Sequence, residues 1–174
     1  MNPFDLSNKV ICVTGASSGI GRQCAVSCSR MGATVVLLAR NEQRLHETLS
    51  IMDNPDKHVI IPVDLTEYAT VELVVKNIVS QVGRISGVLH CAGISTTLPL
   101  KLVTPEKLGE FFQANVFSAY NLTREVCKMG NFSKEGGSIV FFSSVMGKVG
   151  ENGKSLYGMT KGALVSGTRS LACE

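Results

Sequence analysis

Lys9-Val10-Ile11-Cys12-Val13-Thr14, then Gly15-Ala16-Ser17-Ser18-Gly19-Ile20-Gly21, then a run with Cys24, Cys28 and Met31 at spaced positions before Gly32: this opening stretch decides the fold. After Lys9 the residues are apolar or β-branched, as in a strand buried on both faces. Ile20, Cys24, Cys28 and Met31 fall at spacings of 4, 4 and 3, which puts them on one helical face, and Gly32 supplies the stop. A strand that enters a helix across a glycine turn is the first half of a βαβ unit. The remainder repeats the alternation. Strands are predicted over residues 34–39, 58–63, 85–91 and 138–144. Between them come a helix from near Asn41 with Leu45 and Leu49 inward, and one capped by Thr66 with a stripe of Val71, Val74, Val75, Ile78 and Val82. A long helix starts at Thr104-Pro105 and bends near its middle, and a last one runs from Leu156. Strands alternating with helices imply right-handed crossovers and an α/β fold, a doubly wound parallel sheet of about five strands covered on both faces.

At 174 residues, with 44% hydrophobic and 18% charged, the chain reads as a single domain over residues 1–174 with a packed core rather than a disordered segment. No apolar run approaches the ~18 residues of a membrane span. Residues 1–5 lack the basic and apolar regions of a secretory signal, so a cytoplasmic location is expected. A net charge of +3 with scattered Lys and Arg gives no nucleic-acid footprint. The six cysteines are then expected to be reduced. Cys24 and Cys28 share a helical face, but no His or carboxylate stands at ligand spacing, and His90 and Cys91 point to opposite faces of a strand. No metal site is expected.

The turn at residues 14–21 carries the first chemistry. Gly15, Gly19 and Gly21 with Ser17 and Ser18, between a strand and a helix N-terminus, let backbone N–H groups and the helix dipole meet a pyrophosphate. The G-x-x-x-G-x-G spacing differs from the general G-x-G-x-x-G fingerprint, but its context points to a bound dinucleotide. The end of the second strand faces the adenosine ribose. It carries Arg40 and Asn41, with Arg44 one helical step on, and no carboxylate at the strand end. A guanidinium offers paired donors to a 2′-phosphate, so NADP(H) is favoured over NAD(H). The plainer alternative is that Arg40 and Arg44 are solvated charges. Asp64, followed by Leu65, either accepts from the adenine amino group or caps the next helix.

Tyr157 and Lys161 lie one helical turn apart, so Lys161 can act on Tyr157. A tyrosine, with an ordinary pKa of about 10, needs a neighbouring cation to serve as a proton donor and acceptor at neutral pH. Ser144, thirteen residues before Tyr157, falls at the carboxyl end of the fifth strand, where open parallel sheets bind ligands.

Together, the motif at residues 14–21, Asp64, Cys91-Ala92-Gly93, Asn115, Ser144 and Tyr157-x-x-x-Lys161 resemble the short-chain dehydrogenase/reductase family across the whole chain. The resemblance implies a Rossmann fold and hydride transfer between NADP(H) and a ketone or secondary alcohol. It implies Tyr157 as general acid/base, Lys161 lowering its pKa and holding the nicotinamide ribose, and Ser144 on the substrate oxygen. Asn115 would kink its helix and help to order a relay water. Gly15, Ser17, Ser18, Gly19, Ile20, Gly21, Arg40, Asn41, Asp64, Leu65, Ala92 and Gly93, with Tyr157 and Lys161, would line the cofactor. Within the family the pattern is most similar to 3-oxoacyl-[acyl-carrier-protein] reductases, which suggests a carrier-linked acyl substrate. Sugar, polyol or hydroxysteroid oxidoreduction would use the same residues, and a dinucleotide-binding fragment without turnover is the alternative of another class. A homodimer or homotetramer is implied, with Phe117, Tyr120, Met159 and Leu164 as interface candidates for which packing against the sheet is the rival role.

Two departures stand out. The family's Asn-Ala-Gly is Cys91-Ala92-Gly93 here, and a thiol cannot reproduce an amide's hydrogen bonds. The family's sixth and seventh strands and substrate loop do not follow Glu174, so the sequence reads as roughly the amino-terminal two-thirds of an oxidoreductase.

Overall fold

A computed structural model of the chain describes residues 4–174. Five parallel strands form one sheet in the order β3-β2-β1-β4-β5: β1 Val10–Thr14, β2 Thr34–Ala39, β3 Val59–Pro62, β4 Gly87–His90 and β5 Ser138–Phe141. The helices are α1 Gly19–Arg30, α2 Glu42–Leu49, α3 Tyr68–Val82, α4 Pro105–Phe112, α5 Ser118–Val126 and α6 Ser155–Leu171. The chain winds outward from β1 to β3, then returns to place β4 on the other side of β1, with Val13 opposite both Leu37 and Leu89. That reversal opens a crevice at the carboxyl ends of β1 and β4.

Strand periodicity sorts the core into two layers. Val10, Cys12, Val36 and Leu38 face one way and pack with Val71, Val75 and Ile78 of α3 and Leu122 and Val126 of α5. Ile11, Val13, Val35 and Leu37 face the other way, against Ala25, Val26 and Cys28 of α1 and Leu45 of α2. Both faces of β1 are therefore dry, as its unbroken apolar sequence requires. The outer strand β5 departs from that expectation. Its residues alternate between exposed and half-buried, and Val140 is 39% accessible at the sheet edge.

Several local expectations are corrected by the fold. The inward face of α1 is Gly21, Ala25, Val26, Cys28 and Ser29, whereas Ile20 is 61% exposed and Met31 37% exposed. Small residues let α1 lie close on β1, and this outweighs the simple apolar stripe. Thr66 does not cap α3. The N-cap is Glu67, and Asp64 instead accepts from Thr66 N and Oγ1 at 3.0 and 2.7 Å, closing a turn ahead of the helix. The fifth strand ends at Phe141, so Ser144 lies in the turn beyond it. Phe117, Tyr120 and Met159 are 50–59% exposed, and only Leu164 among the interface candidates packs inside.

The expected bend is a π-helical turn at Gln113–Phe117, wedged between α4 and α5. One extra residue per turn rotates the side chains that follow it, and such turns concentrate at functional sites. Thr104 caps α4 through a bond from Lys107 N, with Pro105 in the first turn, as the sequence indicates.

Candidate active site

The loop after β1 is shaped by its glycines. Gly15 and Gly19 have φ of 65° and 52°, in the left-handed region. A Cβ on Gly15 would stand 3.0 Å from the Ala92 backbone, and one on Gly21 would overlap the Gly15 carbonyl. Thr14 Oγ1 accepts from Ala92 N at 3.0 Å, so the ends of β1 and β4 are tied directly together. On the other flank the loop's carbonyls are held by α2 and α1. Ala16 O accepts from Thr48 Oγ1 at 2.9 Å, and Ser17 O from Arg22 Nη2 at 2.8 Å. Arg22 Nε donates in turn to Thr48 Oγ1 at 3.0 Å, and Arg22 pairs with Glu47 at 3.1 Å.

Ser18 is the N-cap of α1 but makes no side-chain cap bond. The first-turn N–H groups are thus without a side-chain acceptor, at the positive end of the helix dipole. A glycine cradle closed to a Cβ at Gly21 and tight at Gly15, with uncapped N–H groups, fits a pyrophosphate. Gly21→Ala is expected to weaken dinucleotide binding about tenfold or more, because overpacking a backbone contact typically costs ~1–3 kcal/mol. Calorimetric titration of the variant checks this. Arg22 and Thr48 are not marked by any motif in the sequence. The Arg directly behind Gly21 was visible, but Thr48 is brought to it only by the packing of α2.

At the end of β2, Arg40 is exposed, and its Nη1 lies 3.7 Å from Asp64 Oδ2. The two residues expected to meet the adenosine end of a cofactor thus pair with each other across β2 and β3. Hydrogen bonds from Thr66 and the Arg40 charge hold the Asp64 carboxyl below its ordinary range, against a burial effect in the other direction that is the largest single contribution. Asn41 caps α2, accepting from Arg44 N at 2.9 Å. Leu65 is buried in the α3-side core, which leaves its backbone as the part able to face a ligand.

The second cluster gathers around Gly93. Asn115, in the π turn, is 1% exposed and its amide is fully used. Oδ1 accepts from Ile94 N at 2.7 Å, and Nδ2 donates to Ile94 O at 2.9 Å and to Thr160 Oγ1 at 3.0 Å. Thr160 Oγ1 donates to the Tyr157 carbonyl at 2.8 Å, so Asn115 braces the first turn of α6 as well as the segment after β4. Lys161 is buried. Its Nζ donates to Phe142 O at 2.8 Å and stands 5.8 Å from the Tyr157 ring centroid. Burial lowers the Lys161 pKa below its ordinary value. A Cβ on Gly93 would lie 3.1 Å from Asn115 Oδ1 and 3.5 Å from Lys161 Nζ, so the glycine keeps a floor beside both groups.

Ser144 opens a 3-10 turn, Val145–Gly147, and its Oγ accepts from Met146 N at 3.2 Å. This turn is seated on α6 by glycines. A Cβ on Gly147 would come within 2.9 Å of the Lys161 carbonyl carbon, and one on Gly158 within 2.8 Å of Met146 O. Ser143 Oγ adds a bond to Lys161 O at 2.8 Å. Gly158 was missed in sequence, although its place beside Tyr157 and four residues before Gly162 marks a close-approach face. A groove of about 740 Å³ lies elsewhere, bordered by Thr123, Phe132, Phe141 and Leu171, and none of the candidate site residues lines it.

His90 and Cys91 do point to opposite faces. Cys91 packs with Cys24 on the α1 side, and burial, reinforced by Cys24 and Cys28, pushes its thiol up to about 12. The structure therefore joins Cys91 to the Cys24–Cys28 pair that the sequence places on one helical face, and it keeps Cys91 protonated. Among the described residues no group of three or more His, Cys, Asp or Glu could hold a metal ion, and no helix is long and apolar enough to cross a membrane.

Comparison with known proteins gives a consistent answer. Residues 9–174 match the short chain dehydrogenase family. The uncharacterized oxidoreductase YciK of Escherichia coli (strain K12) is 32% identical over 97% of this chain and 69% of its own length. The 3-oxoacyl-[acyl-carrier-protein] reductase FabG of the same organism is 28% identical over 98% of this chain and, again, 69% of its own length. A short chain dehydrogenase from Shigella flexneri 2a, solved with NADP, superposes with a TM-score of 0.87 at 32% identity, over 95% of this chain and 71% of that one. The doubly wound sheet, the glycine cradle and the order of the motifs agree with these likenesses: the chain belongs to the short-chain dehydrogenase/reductase family of oxidoreductases.

Proposed function

We propose that the chain carries the cofactor-binding and proton-transfer parts of an NADP(H)-dependent oxidoreductase that interconverts a ketone and a secondary alcohol. The observation that carries this reading is the convergence of Asn115, Lys161 and the Ser144 turn on the first turns of α6, where Tyr157 stands. A bound nicotinamide dinucleotide would supply or accept the hydride. The cradle of Gly15, Ser17, Ser18, Gly19, Ile20 and Gly21 would hold its pyrophosphate. Ala92, Gly93, Asp64, Leu65 and Asn41 would border the rest, and Lys161 would hold the nicotinamide ribose.

The chain's own chemistry is proton transfer and orientation. Tyr157 Oη gives a proton to the oxygen of a ketone undergoing reduction, and takes it back when an alcohol is oxidised. Ser144 Oγ donates to the same oxygen and stabilises the charge that develops there. The Lys161 ammonium favours the phenolate of Tyr157 through space. Asn115 fixes Ile94 and the Thr160–Tyr157 turn, so these groups keep their positions.

Arg40 supports the choice of NADP(H). It stands exposed at the end of β2, with one guanidinium edge turned to Asp64. A charge-assisted hydrogen bond is worth ~1.5–3 kcal/mol. Arg40→Leu should therefore raise the NADPH dissociation constant roughly tenfold or more and leave that of NADH within about twofold, read by calorimetry. Equal losses for both cofactors would remove Arg40 from the recognition of a 2′-phosphate.

A 3-oxoacyl thioester, carrier-linked or free, is the proposed substrate class. Val145 and Val149 beyond Ser144 are 64% and 53% exposed, and Leu100 beyond β4 is 76% exposed, an apolar setting better matched to an acyl chain than to a polyol. The exposed Phe117, Tyr120 and Met159 support a homo-oligomer, and cytoplasmic operation is part of the same reading. The test is NADPH oxidation over acetoacetyl thioesters, sugar ketones and steroid ketones. Turnover confined to sugars or steroids would overturn the substrate class. Calorimetric NADPH binding with no turnover of any ketone would make the chain a dinucleotide-binding module.

A further inference from the structure

Residues 94–98 follow β4 without regular secondary structure, yet every second residue is pinned from outside. Ile94 is held at both N and O by Asn115, at 2.7 and 2.9 Å. Thr96 O accepts from Lys154 Nζ at 3.1 Å. Leu98 N donates to Gly153 O at 2.7 Å. Burial follows the same rhythm, half-buried at residues 94, 96 and 98 and exposed between them. The side supplying the last two pins is shaped for the contact. Gly153 has φ of 73°, and a Cβ there would lie 3.0 Å from Thr97 Cγ2 and 3.3 Å from Leu98 N. Lys154 is the N-cap of α6 and its carbonyl accepts from Gly158 N at 2.7 Å, so its backbone is anchored to the helix that carries Tyr157.

We propose that Lys154 is a positioning residue for substrate: its ammonium clamps residues 94–98 onto the start of α6, making one fixed wall beside Tyr157. The clamp is a single charged donor on a carbonyl, and no backbone N–H among the described residues donates to Thr96 O to replace it. A methionine of similar length keeps the apolar stem packed but cannot donate, and an arginine can. The role rests on the proposed activity only in its kinetic part. Substrate orientation depends on the wall, whereas proton transfer depends on Tyr157, Ser144 and Lys161. Loss of the clamp is therefore expected to act on KM rather than kcat.

The experiment has two arms on the full chain. In the first, hydrogen exchange is followed at the amides of Ile94 and Leu98. Lys154→Met should accelerate both at least about fivefold, with NADPH affinity unchanged, and Lys154→Arg should restore protection. Unchanged exchange in Lys154→Met overturns the clamp. In the second, steady-state kinetics use the best ketone from the screen. Lys154→Met should raise KM about five- to tenfold with kcat within about twofold, and Lys154→Arg should return KM towards wild type. Faster exchange with unaltered KM, or a loss confined to kcat, overturns the positioning role. If wild-type protein turns over no ketone, the proposed activity fails while the exchange arm still decides the clamp.

Discussion

Tyr157→Phe is expected to lower ketone turnover by about 10²–10⁴, the usual scale of general acid–base catalysis, with NADPH affinity within about twofold of wild type. The substitution removes one oxygen and leaves the ring whose face lies near the Lys161 ammonium, 5.8 Å from its centroid. Lys161 keeps its place, because its Nζ is held by the Phe142 carbonyl rather than by the phenol. Thr160 keeps its bond to the Tyr157 main-chain carbonyl, so the brace from Asn115 through Thr160 to the first turn of α6 survives. Tyr157 itself is half-buried, and its hydroxyl has no hydrogen-bond partner within the described residues, so stability should change little. The effect falls on the proton alone. Single-turnover measurement with saturating NADPH separates the outcomes: a loss in the chemical step supports Tyr157 as proton donor. A variant with wild-type turnover would show that the proton comes from elsewhere.

Much of this arrangement was legible because local and global signals agree where the sheet is driest. The six residues of β2 are apolar or β-branched throughout, and the strand runs over the 34–39 that its sequence predicts. The glycines announce the cradle because Gly15 and Gly19 take left-handed backbone that favours glycine and Gly21 has no room for a Cβ. The family resemblance implies that Asn115 kinks its helix, and a π turn lies at that residue. What sequence could not show depends on contacts between distant elements. Thr48 looks like an ordinary helical residue until α2 docks and its hydroxyl reaches the Ala16 carbonyl. Gly158 is unremarked until the Ser144 turn settles on it. The stripe through Ile20 and Met31 failed for a physical reason: α1 approaches β1 through its smallest residues, and the larger ones at its ends stay accessible. In sequence Arg40 and Asp64 stand apart as cofactor contacts, and their pairing requires β2 and β3 to end side by side.

Acid should destabilise the protein well above the range in which carboxylates titrate, with His90 as the principal cause. The ring is 3% exposed at the end of β4, stacked on Phe141 with centroids 4.6 Å apart. Its Nε2 meets Thr123 Oγ1 at 2.9 Å, and Nδ1 is buried with no partner among the described residues. A proton on Nδ1 would therefore place a charge where no group can receive its hydrogen bond, and burial pushes the His90 pKa down to about 3. The unfolded chain offers a histidine of pKa ~6.5. Between those values the unfolded state binds the extra proton, so stability is fully present above about pH 6.5 and falls as pH is lowered towards about 3. Each unit of difference is worth ~1.4 kcal/mol, which makes the His90 contribution to the loss about 2 kcal/mol at pH 5. His58 adds in the same direction, since burial lowers its pKa and its Nδ1 accepts from Val35 N at 3.1 Å. Urea unfolding at pH 7, 6 and 5 reads the slope before Asp64 and Glu125, both held below their ordinary values, begin to gain protons. His90→Phe, which keeps a ring against Phe141, should lose most of that slope even if its stability at pH 7 is lower. An unchanged slope would assign the acid sensitivity to His58. The consequence reaches the site, because His90 immediately precedes the Cys91-Ala92-Gly93 segment and its loosening would release the floor beside Asn115 and Lys161.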